Sequence, residues 1–398
     1  MRNNLLILTF SCFFLSLALG QDTNGRWVGT WAAAPQSPTA ALPFSSFRGA
    51  TLRQVVHTSI GGQKVRVRFT NAFGTLPLRI TDVHFALSAG DDKIQPATDH
   101  LAKFNGESSV KIPAGAEIYS DAVDMNLPAF SDLDVSFYLP KQNIPIVTYH
   151  YRAWQTNYAV AGEKPNAEIL ANAETEPSWY FIDGVDVMAG KSSSAVICFG
   201  DSITDGSGST TSANHRWPNY LAMRLAVSRE TAKLSVLDEG LAGNRVLNKG
   251  IGESALARFD RDVIAQSGVA YVIILEGIND ISKAINAADP LEAITAKDLE
   301  MGLIQLAYRA HVHHIKVLIA TLTPCGSGAG KGEELRETVN QWIRQSTAFD
   351  EVVDFDRAVE DPSNPRHFLP KFDSGDHLHP SDDGYKAMAD AIDLSVLK

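Results

Sequence analysis

A serine, a histidine and an aspartate, with three hydrogen-bond donors between them in the chain, fall in the second half of this 398-residue sequence. Ser202 follows the apolar run Ala195-Val196-Ile197-Cys198-Phe199 and the turn Gly200-Asp201. That run is long enough for a buried strand and β-branched at its centre, so Ser202 is expected just past a strand end, where open α/β sheets bind ligands. A helix beginning there favours negative charge beside the hydroxyl. Acyl transfer by such a serine needs a base, a group that orients the base, and donors for the oxyanion. His379, immediately before Pro380, is the best base, and Asp376 can reach it across one tight turn. Gly243 has no side chain to obstruct its N–H, and the Asn279 amide and the Ser202 N–H complete the donor set.

Other polar residues near these loops carry less. Arg245 and Glu276 flank the site and either contact substrate or form structural salt bridges. Asp201 and Asp280 are expected to brace loops through backbone hydrogen bonds. His377 breaks the Asp-x-x-His spacing. His311, His313 and His314 read as a polar helix end rather than a metal site, and no metal or other cofactor is expected.

The elements that must position these residues emerge from periodicity. Strands are expected at Leu234–Leu237, Tyr271–Leu275, Ile315–Ala320 and Glu351–Phe355. Between them lie helical patterns at Trp217–Ser228, after a Ser254 cap (Leu256, Phe259, Val263), after a Thr295/Asp298 capping box, and around Leu335, Val339 and Trp342. A last helix starts at Pro380-Ser381, with Tyr385, Met388 and Ile392 inward. This alternation implies a parallel sheet in a three-layer α/β/α sandwich. The glycine turns, Asn279 and the Asp376–His379 segment then gather at its C-terminal strand ends.

The first half alternates with period two instead. Val65, Val67 and Phe69 share one face opposite Lys64, Arg66 and Arg68, and Leu133, Val135, Phe137 and Leu139 repeat the pattern. Gly61-Gly62 reads as a hairpin between Gln54–Ile60 and Lys64–Phe69. The phase slips at Thr81-Asp82, which suggests a bulge, and Pro113-Ala114-Gly115 is a turn. Many short strands suggest a β-sandwich. Its aromatic residues, Trp27, Trp31, Tyr149, Tyr151, Trp154, Trp179 and Tyr180, read mainly as core and interdomain packing, with a sugar-stacking platform as the functional alternative, and Tyr149-His150-Tyr151 and Trp154 are the ones expected at a domain interface. The small-residue stretch Met188–Ser194 is the expected boundary. The division is therefore residues 1–20 as a leader, 21–190 as a β-sandwich domain and 191–398 as the α/β/α domain.

The leader reading rests on Arg2, the apolar run Leu5–Leu17 and the small residues Ala18-Leu19-Gly20, which predict cleavage after Gly20 and a secreted or periplasmic protein. The run is short for a membrane span, and no integral membrane segment is expected after cleavage. The formal charge is −11 and becomes one unit more negative when Arg2 leaves. An acidic chain without a basic run argues against nucleic acid and anionic membranes and favours neutral substrates. Cys198 and Cys325 are too few for a disulfide framework and are expected as free thiols.

The succession Gly200-Asp201-Ser202-Ile203, the Gly243 loop, Gly277-Ile278-Asn279-Asp280 and Asp376-His377-Leu378-His379 resembles the SGNH (GDSL-type) esterases and lipases over Ala195–Lys398. The resemblance implies Ser202 as nucleophile, Gly243 and Asn279 as oxyanion donors, and Asp376 and His379 as the rest of a triad. Ile203 stands where the family name has leucine. The preceding β region, with Gly29-Thr30-Trp31-Ala32-Ala33-Ala34-Pro35-Gln36, resembles secreted esterases of plant polysaccharide breakdown. That likeness implies a serine esterase for short acyl groups, acetyl above all, on an acylated carbohydrate such as xylan. The alternatives are a lipase, lysophospholipase or arylesterase of the same family, and a carbohydrate-binding protein with a vestigial hydrolase domain.

Overall fold

The computed structural model describes residues 25–38, 49–285, 293–326 and 330–398. The leader, residues 1–20, lies outside the described residues. From Arg26 to Ala189 the described chain is β apart from turns and one short 3-10 turn. A five-stranded antiparallel sheet is built on Gly62–Thr70, which pairs with Ile182–Ala189, Glu117–Tyr119 and Val123–Leu127, while Arg26–Ala32 lies outside Ile182–Ala189. An eight-stranded antiparallel sheet is built on Ala50–His57, Asp132–Leu139 and Leu78–Gly90. The two sheets meet face to face: Phe69 of the first contacts Phe137 of the second edge-on, with ring centroids 5.6 Å apart. Val65, Val67, Leu133, Val135 and Leu139 fill the space around them, as the alternation predicts. Asp82 takes a left-handed φ of 50° where the pattern slips, and the pairing with Asp132–Leu139 shifts register there.

One expectation for this half is corrected. Gly61-Gly62 is no hairpin: Ala50–His57 belongs to the eight-stranded sheet and Gly62–Thr70 to the five-stranded one, so the chain crosses between layers here. Local turn chemistry cannot distinguish a hairpin from a change of sheet, because tertiary pairing decides it. The cationic face of Gly62–Thr70 is not left to solvent. Arg68 is buried on Asp183, with Nε donating at 2.7 Å, and Arg66 donates to Asp186. Asp186 in turn accepts from the Ser267 hydroxyl at 2.7 Å, so this face is charged because it meets the second half of the molecule.

After Ala189, four residues lead to the first strand of a parallel sheet, Ser194–Gly200. The others are, second to fifth, Leu234–Gly240, Val269–Leu275, Lys316–Ala320 and Glu351–Val353. Their spatial order is second, first, third, fourth, fifth, all parallel. The order reverses between the first and third strands, and the crevice beyond that switch point is where such sheets bind ligands. Helices α1 (Ser202–Asp205), α2 (Trp217–Val227), α3 (Ala255–Phe259), α4 (Ile278–Ile285), α5 (Ala296–Val312), α6 (Lys331–Gln345), α7 (Phe355–Val359) and α8 (Asp382–Asp390) connect and cover it. The Ser254 cap and the Thr295/Asp298 capping box form as read, and Ser381 caps α8. The fifth strand stops at Val353 because Asp354 caps α7, so Phe355 enters a helix. Cys198 and Cys325 are both free and buried.

The halves share a hydrogen-bonded seam. The Gly29 N–H donates to the Ser267 carbonyl at 2.9 Å, and the Val236 N–H to the Ser59 hydroxyl at 3.1 Å. Trp31, Tyr149, Trp179 and Tyr180 are core residues beside this seam, buried as strand aromatics usually are.

Candidate active site

Ser202 opens α1, a single turn placed where the first parallel strand ends. Asp201 caps it: its extended backbone turns the side chain onto the Ile203 N–H at 2.9 Å. Gly206, at φ 93°, closes the other end. Ser202 is mostly buried, yet its Oγ lies 2.8 Å from His379 Nε2. His379 Nδ1 lies 2.6 Å from Asp376 Oδ2.

Asp376 is held by its own turn. Its Oδ1 accepts from the N–H groups of His379, at 2.8 Å, and Leu378, at 3.0 Å. Partial burial opposes ionisation, but the His379 ring and these N–H groups outweigh it and bring the Asp376 carboxyl down to about 2. Asp376 is therefore a carboxylate at neutral pH and can only accept. Nδ1 of His379 then carries a proton, and in the neutral ring the lone pair of Nε2 faces the serine hydroxyl. This is the tautomer a general base requires.

Two acidic residues, Asp201 and Asp280, connect the segments that carry the expected donors. Gly243 comes after the second strand with φ 71°, a conformation that suits glycine. Asn279 sits in the first turn of α4, with a long 3.5 Å contact from Nδ2 to Asp201 Oδ2. Asp280 accepts from the N–H groups of Val246, at 2.7 Å, and Leu247, at 3.1 Å. It thereby ties the Gly243 loop to the helix carrying Asn279. Burial pushes the Asp280 carboxyl up to about 6 against the pull of those N–H groups. Asp201 and Asp280 thus brace loops as the sequence suggests.

Beneath the site lies a residue that sequence reasoning missed. Arg258, fully buried, donates to the carbonyls of Gly200 at 2.8 Å and Glu239 at 2.9 Å, and to the Asn244 side chain at 2.9 Å. One guanidinium so joins the ends of the first two strands to the Gly243 loop. Asp262, kept ionised by Arg258 and Arg261 against its burial, supplies the counter-charge at 2.9 Å, and the Glu276 carboxyl, pushed well up by burial, lies at 3.3 Å. The available signal was its i,i+4 spacing to Asp262 on an otherwise apolar helix face.

Of the two readings open for Glu276 and Arg245, their contacts match the structural one. The Glu276 side chain has no exposure and serves Arg258. Arg245 is buried and donates within its own loop to the Lys249 carbonyl. His377, exposed and at φ 63°, pairs with Asp373 at 2.6 Å and not with Ser202. His311, at the end of α5, bonds Asp350 at 2.8 Å.

The β half reaches the nucleophile turn from behind. His150 Nε2 lies 3.0 Å from Asp205 Oδ1, at the far end of α1, and Nδ1 lies 2.9 Å from the Ala34 carbonyl. A carbonyl only accepts, so Nδ1 carries a proton, and a second proton must lie between Nε2 and Asp205. Burial works against a charged ring, but the Asp205 charge and both hydrogen bonds override it and raise the His150 pKa. Arg216 and Asp238 complete the wall of a small adjoining cavity of about 30 Å³, room for water. The sequence placed His150 at an interface but offered no sign of its partner.

Residues 198–387 match the GDSL-like Lipase/Acylhydrolase family. No curated protein matches the chain. Among solved structures, the chain is similar to a lipolytic protein of the G-D-S-L family from Desulfitobacterium hafniense DCB-2, at 23% identity over 50% of this chain and 97% of that one, TM-score 0.39. It is similar to a GDSL-like lipase from Bacteroides thetaiotaomicron VPI-5482, at 19% identity over 51% and 87%, TM-score 0.38. It is also similar to an acetyl xylan esterase, AlAXEase, at 19% identity over 50% and 96%, TM-score 0.39.

Proposed function

The C-terminal half of this chain is a GDSL-like acylhydrolase domain, a carboxylic ester hydrolase, and from that premise we propose that it cleaves short-chain acyl esters, acetyl above all, on plant polysaccharides such as xylan, through an acyl-enzyme on Ser202. The observation that carries this reading is the continuous relay from Ser202 Oγ to His379 to Asp376, at 2.8 and 2.6 Å.

His379 Nε2 takes the Ser202 proton as Oγ attacks the ester carbonyl. The oxyanion rests on the N–H groups of Ser202 and Gly243 and on the Asn279 amide, and Asp376 stabilises the imidazolium. The imidazolium returns its proton to the departing alkoxide. Water, deprotonated by the same ring, then releases the acid and restores the serine.

Three features support a short acyl group on a neutral glycan. The acidic chain favours an uncharged ester over an anionic lipid surface. Ile251 Cδ1 sits 2.6 Å from where a Cβ on Gly243 would be, and its side chain forms an apolar wall beside that glycine. The two-part layout resembles secreted polysaccharide esterases. Export would result from the leader; protein recovered from culture medium should begin at Gln21.

The test is a chain-length series on p-nitrophenyl acetate, butyrate and octanoate, with Ser202→Ala alongside. Rates should be highest on acetate, fall with chain length, and drop by about 10⁶ in the variant. Rates rising toward octanoate would overturn the short-chain reading in favour of a lipase. Acetylated xylan is the next substrate, and acetate release from it is expected.

A further inference from the structure

A second cavity, of about 450 Å³, opens at the seam between the halves. Its size lies in the range of small-molecule sites. The β half supplies Arg152, Trp154, Thr156, Thr175 and Glu176 to its wall, and the α/β half supplies Thr211. The wall combines one indole, one cation, one carboxylate and three hydroxyls. With Gln155 and Pro177, which also line it, the cavity presents more apolar than polar surface, edged by these polar groups. Its single cation, matched by a carboxylate, does not select an anion. It suits a neutral ligand with many hydroxyls and one apolar face, because an indole covers the apolar face while the polar groups bond the hydroxyls.

The backbone here is held in costly conformations. Arg152 and Trp154 have φ of 54° and 49°, and Ser212 and Asn214, on the facing segment, have 61° and 56°. Strain of this kind clusters at functional sites. The two segments are locked together: the Ser212 N–H donates to the Trp154 carbonyl at 2.9 Å, and the Thr156 N–H to the Ser212 hydroxyl at 3.0 Å. Arg216 also donates to the Ala153 carbonyl. Trp154 therefore cannot swing away independently of the loop it faces.

That loop begins where α1 ends and runs beside the triad segment. The Tyr385 hydroxyl of α8 donates to the Ser207 carbonyl at 2.7 Å, and Thr210 bonds Asp382, three residues past His379, through both its N–H and its hydroxyl, at 2.9 and 2.7 Å. A Cβ on Gly208 would lie 2.9 Å from Ser374 Cβ. One side of the loop so flanks the segment bearing Asp376 and His379, and its Thr211 faces the cavity.

We propose that this seam cavity is a subsite for the carbohydrate half of the substrate, binding a neutral pyranose unit of the glycan on Trp154 while the ester lies at Ser202. The assignment rests on the ester-hydrolase reading above and gives the β half a part in choosing the alcohol. Its polar partners are the Thr156, Thr175 and Thr211 hydroxyls, with Arg152 and Glu176 at the rim.

The test is calorimetric binding of xylohexaose and cellohexaose to the full chain carrying Ser202→Ala, which separates binding from turnover. Xylohexaose should bind. Adding Trp154→Ala should weaken it by about tenfold or more, and Trp154→Phe, which keeps a ring, should recover most of that. Thr175→Trp fills the cavity from another strand and should weaken binding equally, which settles the matter if Trp154→Ala does not fold. In active protein, Trp154→Ala should lower the ratio of kcat/KM on acetylated xylan to that on p-nitrophenyl acetate by a similar factor. No heat with either oligosaccharide, or unchanged affinity in both Trp154→Ala and Thr175→Trp, would overturn the subsite. Failure of the ester reading looks different: xylohexaose binds through Trp154, but neither ester is cleaved.

Discussion

His379 meets Asp376 at 2.6 Å at the mouth of the parallel sheet, and His150 meets Asp205 at 3.0 Å behind it. Both pairs are anchored to the elements around Ser202, and both imidazoles have a carboxylate on one nitrogen. What differs is the other nitrogen. For His379 it is Nε2 facing a hydroxyl, which can give up a proton. For His150 it is Nδ1 facing the Ala34 carbonyl, which can only accept. The first ring keeps a lone pair for chemistry, whereas the second is saturated with acceptors and serves as a clamp. Exposure shows the same division: half of the Asp376 side chain is open to solvent, while His150 and Asp205 are at 3% and 4%. An Asp–His pair is therefore not a catalytic signature by itself, and the third partner decides its use.

The largest effect is expected at the His379–Asp376 pair. Asp376→Asn presents an amide to Nδ1 and favours the wrong tautomer, so kcat should fall by about 10⁴ with the fold intact. Steady-state rates together with a melting curve check both halves of that statement. Asn279→Ala should cost about 10²–10³ in kcat with little change in KM, as expected for one lost oxyanion donor. Unchanged turnover there would remove Asn279 from the mechanism.

The clamp should respond in stability first. His150→Phe keeps a ring but strands the Asp205 carboxylate in a buried site, which costs of order 3–5 kcal/mol. Urea unfolding measures that loss, and kcat should fall by only about tenfold, since no reacting atom is removed. A loss in kcat as large as that of Asp376→Asn would erase the distinction drawn between the pairs.

The smallest effects separate the pairs by pH. Asp376 is depressed to about 2 in the folded protein, so its contribution is present above the unfolded carboxylate value near 3.9 and is lost as pH falls toward 2. His150 is raised, so its contribution is full below the unfolded value near 6.5 and is lost as pH climbs through its folded value. Asp205, Arg216 and Trp179 face that ring, and Asp238, pushed up to about 7 by burial, weakens the same cluster as pH rises from about 4. Melting temperature against pH should therefore decline on the alkaline side in wild type, and His150→Phe should flatten that limb while leaving the acid limb in place.

The constellation proposed as catalytic was legible because each of its parts is a local signal. Ser202 comes after an apolar run, Asp376 and His379 share one turn, and Gly243 and Asn279 lie in the loops after two strands. Glu276 and Arg245 were ambiguous for a physical reason: a charge beside a site reads alike whether it faces ligand or core. Arg258 decides the first case, since its guanidinium sits beneath the strand ends and takes the Glu276 carboxyl as a partner at 3.3 Å, inside the core. The Gly61-Gly62 turn was misread because a hairpin and a crossing between sheets use the same residues.

By itself, the sequence determined the period of each segment, hence a β half followed by a parallel α/β half, and the local turn that joins Asp376 to His379. Hydrophobic spacing and short-range hydrogen bonding depend on neighbours within a few residues, and the sequence displays those directly. Only the tertiary structure decided that Ser202 lies within 2.8 Å of a histidine 177 residues away. The same holds for the Arg66–Arg68 face turned against the second half and for the His150 grip on α1. Those contacts depend on how two separately patterned halves pack, and burial alone gives a charged side chain its partner.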